Sequence, residues 1–306
     1  MNFSLANMNV AEDYLDYNIT EDFYEYQITS NYHENIIFSV VFIICCIGAP
    51  LNGIVIWLLG FQIKRNPFTI LILNLAIADF AFLILMGIIC IQKFVRAIEP
   101  EILWHILVCL FNVIYINGLF LLTAISIDRC VAVLFPIWHR CSRPKYLSSA
   151  VCVFLWIFSF LLFGMSYIMQ YFYIYDAIQN LYLAVTAMIC LPLSTISTVI
   201  LFIKICLKSK QIKRGRLLMI ILITLLCFLS LTLPLYIYVF VAHFLKKRNL
   251  FDIVDLNFYL CPSASLNSSI NPVIYFLVGR KKRARTRESI KVIFQRVFRE
   301  EKAPEM

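Results

Sequence analysis

Two carboxylates in this chain occupy places where a charge is expensive. Asp79, in Leu75-Ala76-Ile77-Ala78-Asp79, lies inside an apolar run long enough to cross a bilayer. A mid-membrane carboxylate costs about 2.5–3.5 kcal/mol on insertion scales, so it normally faces a polar interior and acts there. Partners of the right type are Asn52 in the first apolar run and Asn267, Ser268 and Asn271 in the last. Together they compose either a hydrated cluster able to hold a proton or a sodium ion, or a neutral, water-linked network that only packs helices. Asp128 precedes Arg129 at the end of the third run. A guanidinium at a helix end can snorkel to the interface by itself. The neighbouring carboxylate can also hold it in an ion pair whose release frees it to meet another protein. In the last run, Pro272 removes a backbone donor and bends the helix, so that Tyr275 can be re-aimed when packing changes. Pro192 and Pro234 supply similar weak points in the fifth and sixth runs, giving hinges for a two-state bundle.

The elements that must hold these residues follow from hydropathy. The 306 residues are 61% hydrophobic and 15% charged, with mean hydropathy +0.83, a composition of a polytopic membrane protein. About 20 apolar residues span the hydrocarbon layer, and such runs fall at roughly 36–60, 68–92, 102–135, 147–172, 180–207, 216–245 and 253–278. An all-α, seven-transmembrane bundle is predicted over 35–279, between a tail at 1–34 and a segment at 280–306. Basic residues crowd the loops after the first, third and fifth runs and the final segment, which places the N-terminus outside and the C-terminus in the cytoplasm. The net charge of +9 reads as this bias plus attraction to anionic inner-leaflet lipid, not as nucleic-acid binding. Residues 1–34 have no Lys or Arg and no cleavage-site pattern, so the first helix is expected to direct insertion. Most of the eleven cysteines fall in apolar runs and read as small side chains. A Cys90–Cys261 bridge is the one pairing weighed.

With these motifs in place, the chain resembles rhodopsin-like (class A) G-protein-coupled receptors: Leu51-Asn52-Gly53, Leu75 to Asp79, Asp128-Arg129-Cys130, Trp156, Pro192, Pro234 and Asn271 to Tyr275. Within that class it is most similar to the Mas-related receptors, through Ile56 to Phe61, Arg65 to Thr69, Leu122 to Ser126, Pro136 to Cys141 and Phe276 to Gly279. The resemblance implies a plasma-membrane receptor for a heterotrimeric G protein. It implies that Arg129 engages that partner, that Tyr275 swings inward, and that Ile137 docks an apolar side chain against it. It also implies a sodium centre at Asp79, Asn267, Ser268 and Asn271, although Gly118 stands where many class members supply a serine ligand. Two departures are plain. Trp104 replaces the usual bridging cysteine, and Thr232, two residues before Pro234, replaces the usual tryptophan.

Seven acids and Tyr14, Tyr17, Tyr24 and Tyr26 lie within residues 1–34. Such a tail either captures cationic peptides or small cations by long-range attraction, or merely solvates the chain's exit from the membrane. Asn2 and Asn18 fit the glycosylation pattern. Helical spacing gathers Phe111, Asn112, Tyr115, Thr232, Tyr236, Val239 and Asn257 as a candidate ligand pocket, with Asp176 near its mouth. Phe111 stands where amine receptors place an aspartate, which the resemblance sets against a biogenic amine. Ile290, Ile293, Phe294, Val297 and Phe298, flanked by basic residues, predict an amphipathic helix on the inner interface.

Rival classes make distinct demands. A retinal light sensor needs a lysine in the seventh run, and residues 253–278 contain none. A transporter calls for inverted repeats or several paired membrane carboxylates, whereas only Asp79 lies deep in a span. No catalytic cluster in the runs suggests an enzyme. A receptor that binds ligand without signalling, a decoy, has the same sequence signature as a transducer.

Overall fold

The computed structural model describes residues 32–63, 66–95, 101–172, 181–207, 222–234, 253–279 and 291–292. Among these, seven principal helices and no strand occur: α1 (Tyr32–Gln62), α2 (Pro67–Val95), α3 (Glu101–Leu134), α4 (Leu147–Phe172), α5 (Leu181–Leu207), α6 (Leu222–Pro234 as described) and α7 (Ile253–Gly279). The bounds of α1 to α5 and α7 follow the apolar runs within a few residues, and the described part of α6 lies inside the sixth run. The first four helices contain spans of membrane length, with mean hydropathy 2.2–2.4.

Their faces are inverted relative to a water-soluble helix. On α1, Val40, Ile43, Ile47, Ile54 and Trp57 point outward while Asn52 is buried beside Val41, Cys45, Ala49 and Val55. Apolar outside and polar inside is the arrangement that lipid favours, because a polar side chain finds partners only within the bundle. α4 touches its neighbours through Ser148, Cys152 and Ser159, one face of the helix, and exposes Phe154, Ile157, Phe160 and Leu161.

α3 is the hub, packing on α2, α4 and α5. Leu119, Phe120, Leu121, Leu122 and Thr123 are buried in succession, which requires neighbours on every side. The α3–α5 seam carries a buried hydroxyl pair, Thr123 Oγ1 and Ser194 Oγ, 3.1 Å apart. α1 closes on α7 and α2 at Gly48, where a Cβ would collide with the Ser269 side chain and stand 2.9 Å from Leu83. Glu34, counted with the acidic tail from sequence, sits instead in the first turn of α1 and pairs with Lys93 of α2 at 2.6 Å. Cys90 and Cys261 carry free thiols, so the bridge weighed between them is not formed.

α2 starts through a local device. Asn66 Oδ1 accepts from the Thr69 backbone N–H at 2.7 Å, and Thr69 Oγ1 accepts from the Asn66 N–H at 2.8 Å. With Pro67 at the first helical position, where no N–H is missed, Asn-Pro-Phe-Thr is a reciprocal cap written in four residues. Phe68 is thereby fixed at the helix mouth, 2% exposed.

Candidate functional site

Two polar constellations lie in the bundle, one at mid-height and one at the end where α3 finishes. At mid-height Asn271 Nδ2 donates to Asp79 Oδ2 at 2.9 Å, tying α7 to α2. Asn52 Nδ2 donates to the Ser268 carbonyl at 3.0 Å and to the Gly48 carbonyl at 3.1 Å, tying α7 to α1. The Ser268 carbonyl needs that donor. Four residues on stands Pro272, whose missing N–H leaves the carbonyl without its helical partner. Asn52 therefore supplies from α1 what Pro272 removes from α7. Asp79, Asn52 and Asn271 are all at most 4% exposed.

Beside this cluster is a cavity of about 10 Å³ bordered by Asp79, Tyr115, Gly118, Asn267 and Ser268. It has room for roughly one water-sized occupant. The Oδ1 atoms of Asn267 and Asn271 are buried without a hydrogen-bond donor, and a Cβ at Gly118 would meet nothing within 4 Å. The cavity border therefore offers one carboxylate, Asp79, and one unmatched amide oxygen, that of Asn267, hard donors suited to a small cation or a water. Tyr275 is 4% exposed in the same region of α7.

At the end of α3, Arg129 Nη2 and Nε donate to Asp128 Oδ2 at 2.7 and 3.2 Å. The other carboxylate oxygen takes Arg143 Nη2 at 2.7 Å, and Arg143 also donates to Ser148 Oγ at 2.6 Å. His139 Nε2 lies 2.5 Å from Arg143 Nη1. Arginine only donates, so Nε2 accepts and is unprotonated. Its 3.5 Å approach to Asp128 Oδ1 is then no ion pair. Burial lowers the ring's pKa, against the raising influence of the Asp128 carboxylate. The Arg129 guanidinium also lies over the Phe68 ring, 3.6 Å from its centroid. Arg129 is 5% exposed, while Ile137, in the turn beyond α3, is 79% exposed.

The structure thus brings Asp79, Asn52, Asn271 and Ser268 together as the sequence suggested, and Asn267 borders the same cavity. The pocket residues behave differently. Phe111 and Tyr115 pack on Phe82 of α2, with ring centroids 5.0 and 5.8 Å away. Asn112 and Thr232 donate to carbonyls one turn back, at Val108 and Phe228. Asp176, Tyr236, Val239, the Asn257 side chain, Asn2 and Asn18 lie outside the described residues, as does most of the C-terminal amphipathic segment. Within that segment Lys291 Nζ donates to Gln62 Oε1 at 2.8 Å. Sequence reasoning missed Phe68, His139 and Arg143 as neighbours of Asp128 and Arg129. The capping pattern of Asn66 to Thr69 was readable, but which side chain its helix mouth meets was not.

The comparisons with known proteins follow the same residues. Residues 51–275 match the family model described as 7 transmembrane receptor (rhodopsin family). The chain is 34% identical over 284 residues to the human proto-oncogene Mas, covering 88% of this chain and 85% of that protein. It is 36% identical over 277 residues to the mouse Mas-related G-protein coupled receptor member H, covering 86% and 83% of the two chains. It is also 36% identical over 280 residues to member D of Macaca fascicularis, covering 87% and 86%. With its polar core and its Asp128–Arg129 pair inside the matched span, the chain belongs to the rhodopsin family of seven-transmembrane receptors and, within it, to the Mas-related group.

Proposed function

We propose that this chain is a plasma-membrane G-protein-coupled receptor, not an enzyme, with its N-terminus outside and its C-terminus in the cytoplasm. An extracellular peptide or small cationic molecule stabilises a bundle conformation whose inner end speeds nucleotide exchange on a heterotrimeric G protein. The observation that carries this reading is Arg129. It is a guanidinium 5% exposed and held by Asp128 at 2.7 Å, and the turn that follows its helix leaves the apolar Ile137 open to a partner. Coupling requires Arg129 to leave that ion pair. A ligand drives this only through its differential affinity for the two states. Movement of α7 about Pro272 passes the change to Tyr275, with the Asn271–Asp79 and Asn52–Ser268 bonds setting which positions of α7 are stable. Asp79, Asn267, Ser268 and Asn271 would hold a sodium ion, whose charge would balance the buried carboxylate and favour the resting arrangement. The acidic, tyrosine-containing tail supports cationic ligands through long-range attraction.

The test uses the full chain in membranes with purified G-protein heterotrimers of each Gα class. Cationic peptides and small amines are screened, and GDP release is read. Arg129→Ala at matched surface expression is expected to abolish the response, and an undiminished response would remove Arg129 from coupling. Deleting residues 1–31, which stops short of α1, is expected to lower the potency of cationic ligands. Unchanged potency would leave recognition to the bundle alone.

A further inference from the structure

The described residues touching the Asp128–Arg129 pair include two that the coupling reading does not use. Phe68 presents its ring face to the guanidinium at 3.6 Å, and Arg143 grips the Asp128 oxygen that Arg129 leaves unoccupied, at 2.7 Å. We propose that Phe68 and Arg143 are positioning residues that set the receptor's agonist-free activity. Phe68 is a cation–π seat for the Arg129 guanidinium, and Arg143 is a brace from the α3–α4 turn that keeps Asp128 aimed at it. The inference rests on the coupling role of Arg129 and specifies what opposes it.

The argument is one of place and chemistry. A guanidinium 5% exposed cannot reach a second protein without leaving its seat, so whatever stabilises the seat opposes coupling. A desolvated aromatic face attracts a cation through the ring's quadrupole, more strongly than an exposed one does. Phe68 cannot drift from this position, because the Asn66–Thr69 reciprocal cap and Pro67 fix the turn that carries it. The carboxylate is fixed from its other side. Arg143 is itself held by Ser148 Oγ at 2.6 Å and His139 Nε2 at 2.5 Å, so its fork reaches Asp128 from a braced position. Aligned in this way, Asp128 presents Oδ2 to both Nε and Nη2 of Arg129.

The experiment needs no identified ligand. Full-length receptor is expressed at matched surface density, and agonist-free GDP release is measured across the Gα classes. Position 68 carries Phe→Leu and a ring-fluorination series introduced by nonsense suppression. Fluorination keeps the ring's shape while draining the negative potential of its face. Exchange is expected to rise with each fluorine and to reach about fivefold in Phe68→Leu, the size of one ordinary cation–π contact. Arg143→Gln is expected to raise it similarly, and Arg129→Ala added to either is expected to abolish the rise. Flat exchange across the fluorine series overturns the seat, even if Phe68→Leu is active or fails to reach the surface, because only packing would then be at stake. An unchanged Arg143→Gln overturns the brace. If no variant or wild-type chain shows Arg129-dependent exchange on any Gα, the coupling reading falls together with this one, and that pattern differs from Arg129-dependent exchange that ignores position 68.

Discussion

At the scale of single residues, burial decides which polar groups can change state. Gly118 borders the cavity beside Asp79 and leaves open the space a Cβ would fill. Gly118→Ser is therefore predicted to place a hydroxyl among the oxygens of Asp79, Asn267 and Ser268 without displacing a neighbour. Comparing the melting temperature of purified receptor in sodium and in choline chloride checks this. The sodium-dependent rise should be larger in Gly118→Ser than in wild type, since an ion that binds only the folded state stabilises it by RT ln(1 + [L]/Kd), which grows as Kd falls. Equal shifts would mean that the added oxygen coordinates nothing. His139 makes a prediction of opposite character. Its folded-state pKa is lowered from the ordinary 6.5, so above that value its shift contributes nothing. As pH falls below about 6.5 the unfolded chain takes up a proton that the folded chain resists, and stability declines. Thermal unfolding at pH 7.5 and 5.5 should show a smaller acid loss in His139→Gln than in wild type.

At the scale of elements, caps and kinks set where side chains meet. Replacing Asn66 by Ala removes the acceptor for the Thr69 N–H and should cost about 1 kcal/mol. The measurable signs are a lower melting temperature and, through loosening of Phe68, raised agonist-free exchange. Asn52→Ala should cost more than a typical surface change, because it leaves the Ser268 carbonyl buried with neither Asn52 nor the N–H that Pro272 lacks. An unsatisfied buried acceptor is worth about 1–3 kcal/mol. These elements differ in how far sequence exposed them. The seven helices were legible because each apolar run must satisfy its own backbone in lipid. Asp79, Asn52 and Asn271 were legible because polar groups inside such runs have few places to go. Phe68, His139 and Arg143 were not, since their meeting with Asp128 and Arg129 depends on how a turn folds back beneath α3, which no periodicity records. The surroundings of the candidate pocket residues were hidden for the same reason. Phe111 and Tyr115 do share a face of α3, but the neighbour they meet is Phe82 of α2.

At the scale of the whole molecule, exposure means different things along the bundle's length, because the surrounding medium changes. Ile157 on α4 and Ile137 beyond α3 are 55% and 79% exposed. In a water-soluble protein both would tolerate a lysine. Ile157 lies eleven residues into a 26-residue apolar helix, near the middle of a span, where a lysine costs about 2.5–3.5 kcal/mol on insertion scales. Ile137 follows Pro136 in the turn past the end of α3, at the interface, where the charge reaches water. Ile157→Lys is thus predicted to reduce delivery to the cell surface severalfold, whereas Ile137→Lys should be delivered like wild type and lose G-protein activation instead. Surface labelling and GDP release measured on the same cells separate the two effects. If both lysines were delivered equally well, α4 would not face hydrocarbon at Ile157. If Ile137→Lys activated the G protein normally, the exposed isoleucine would be no docking point, and the inner surface would have to make its contact through Arg129 and the helix ends alone.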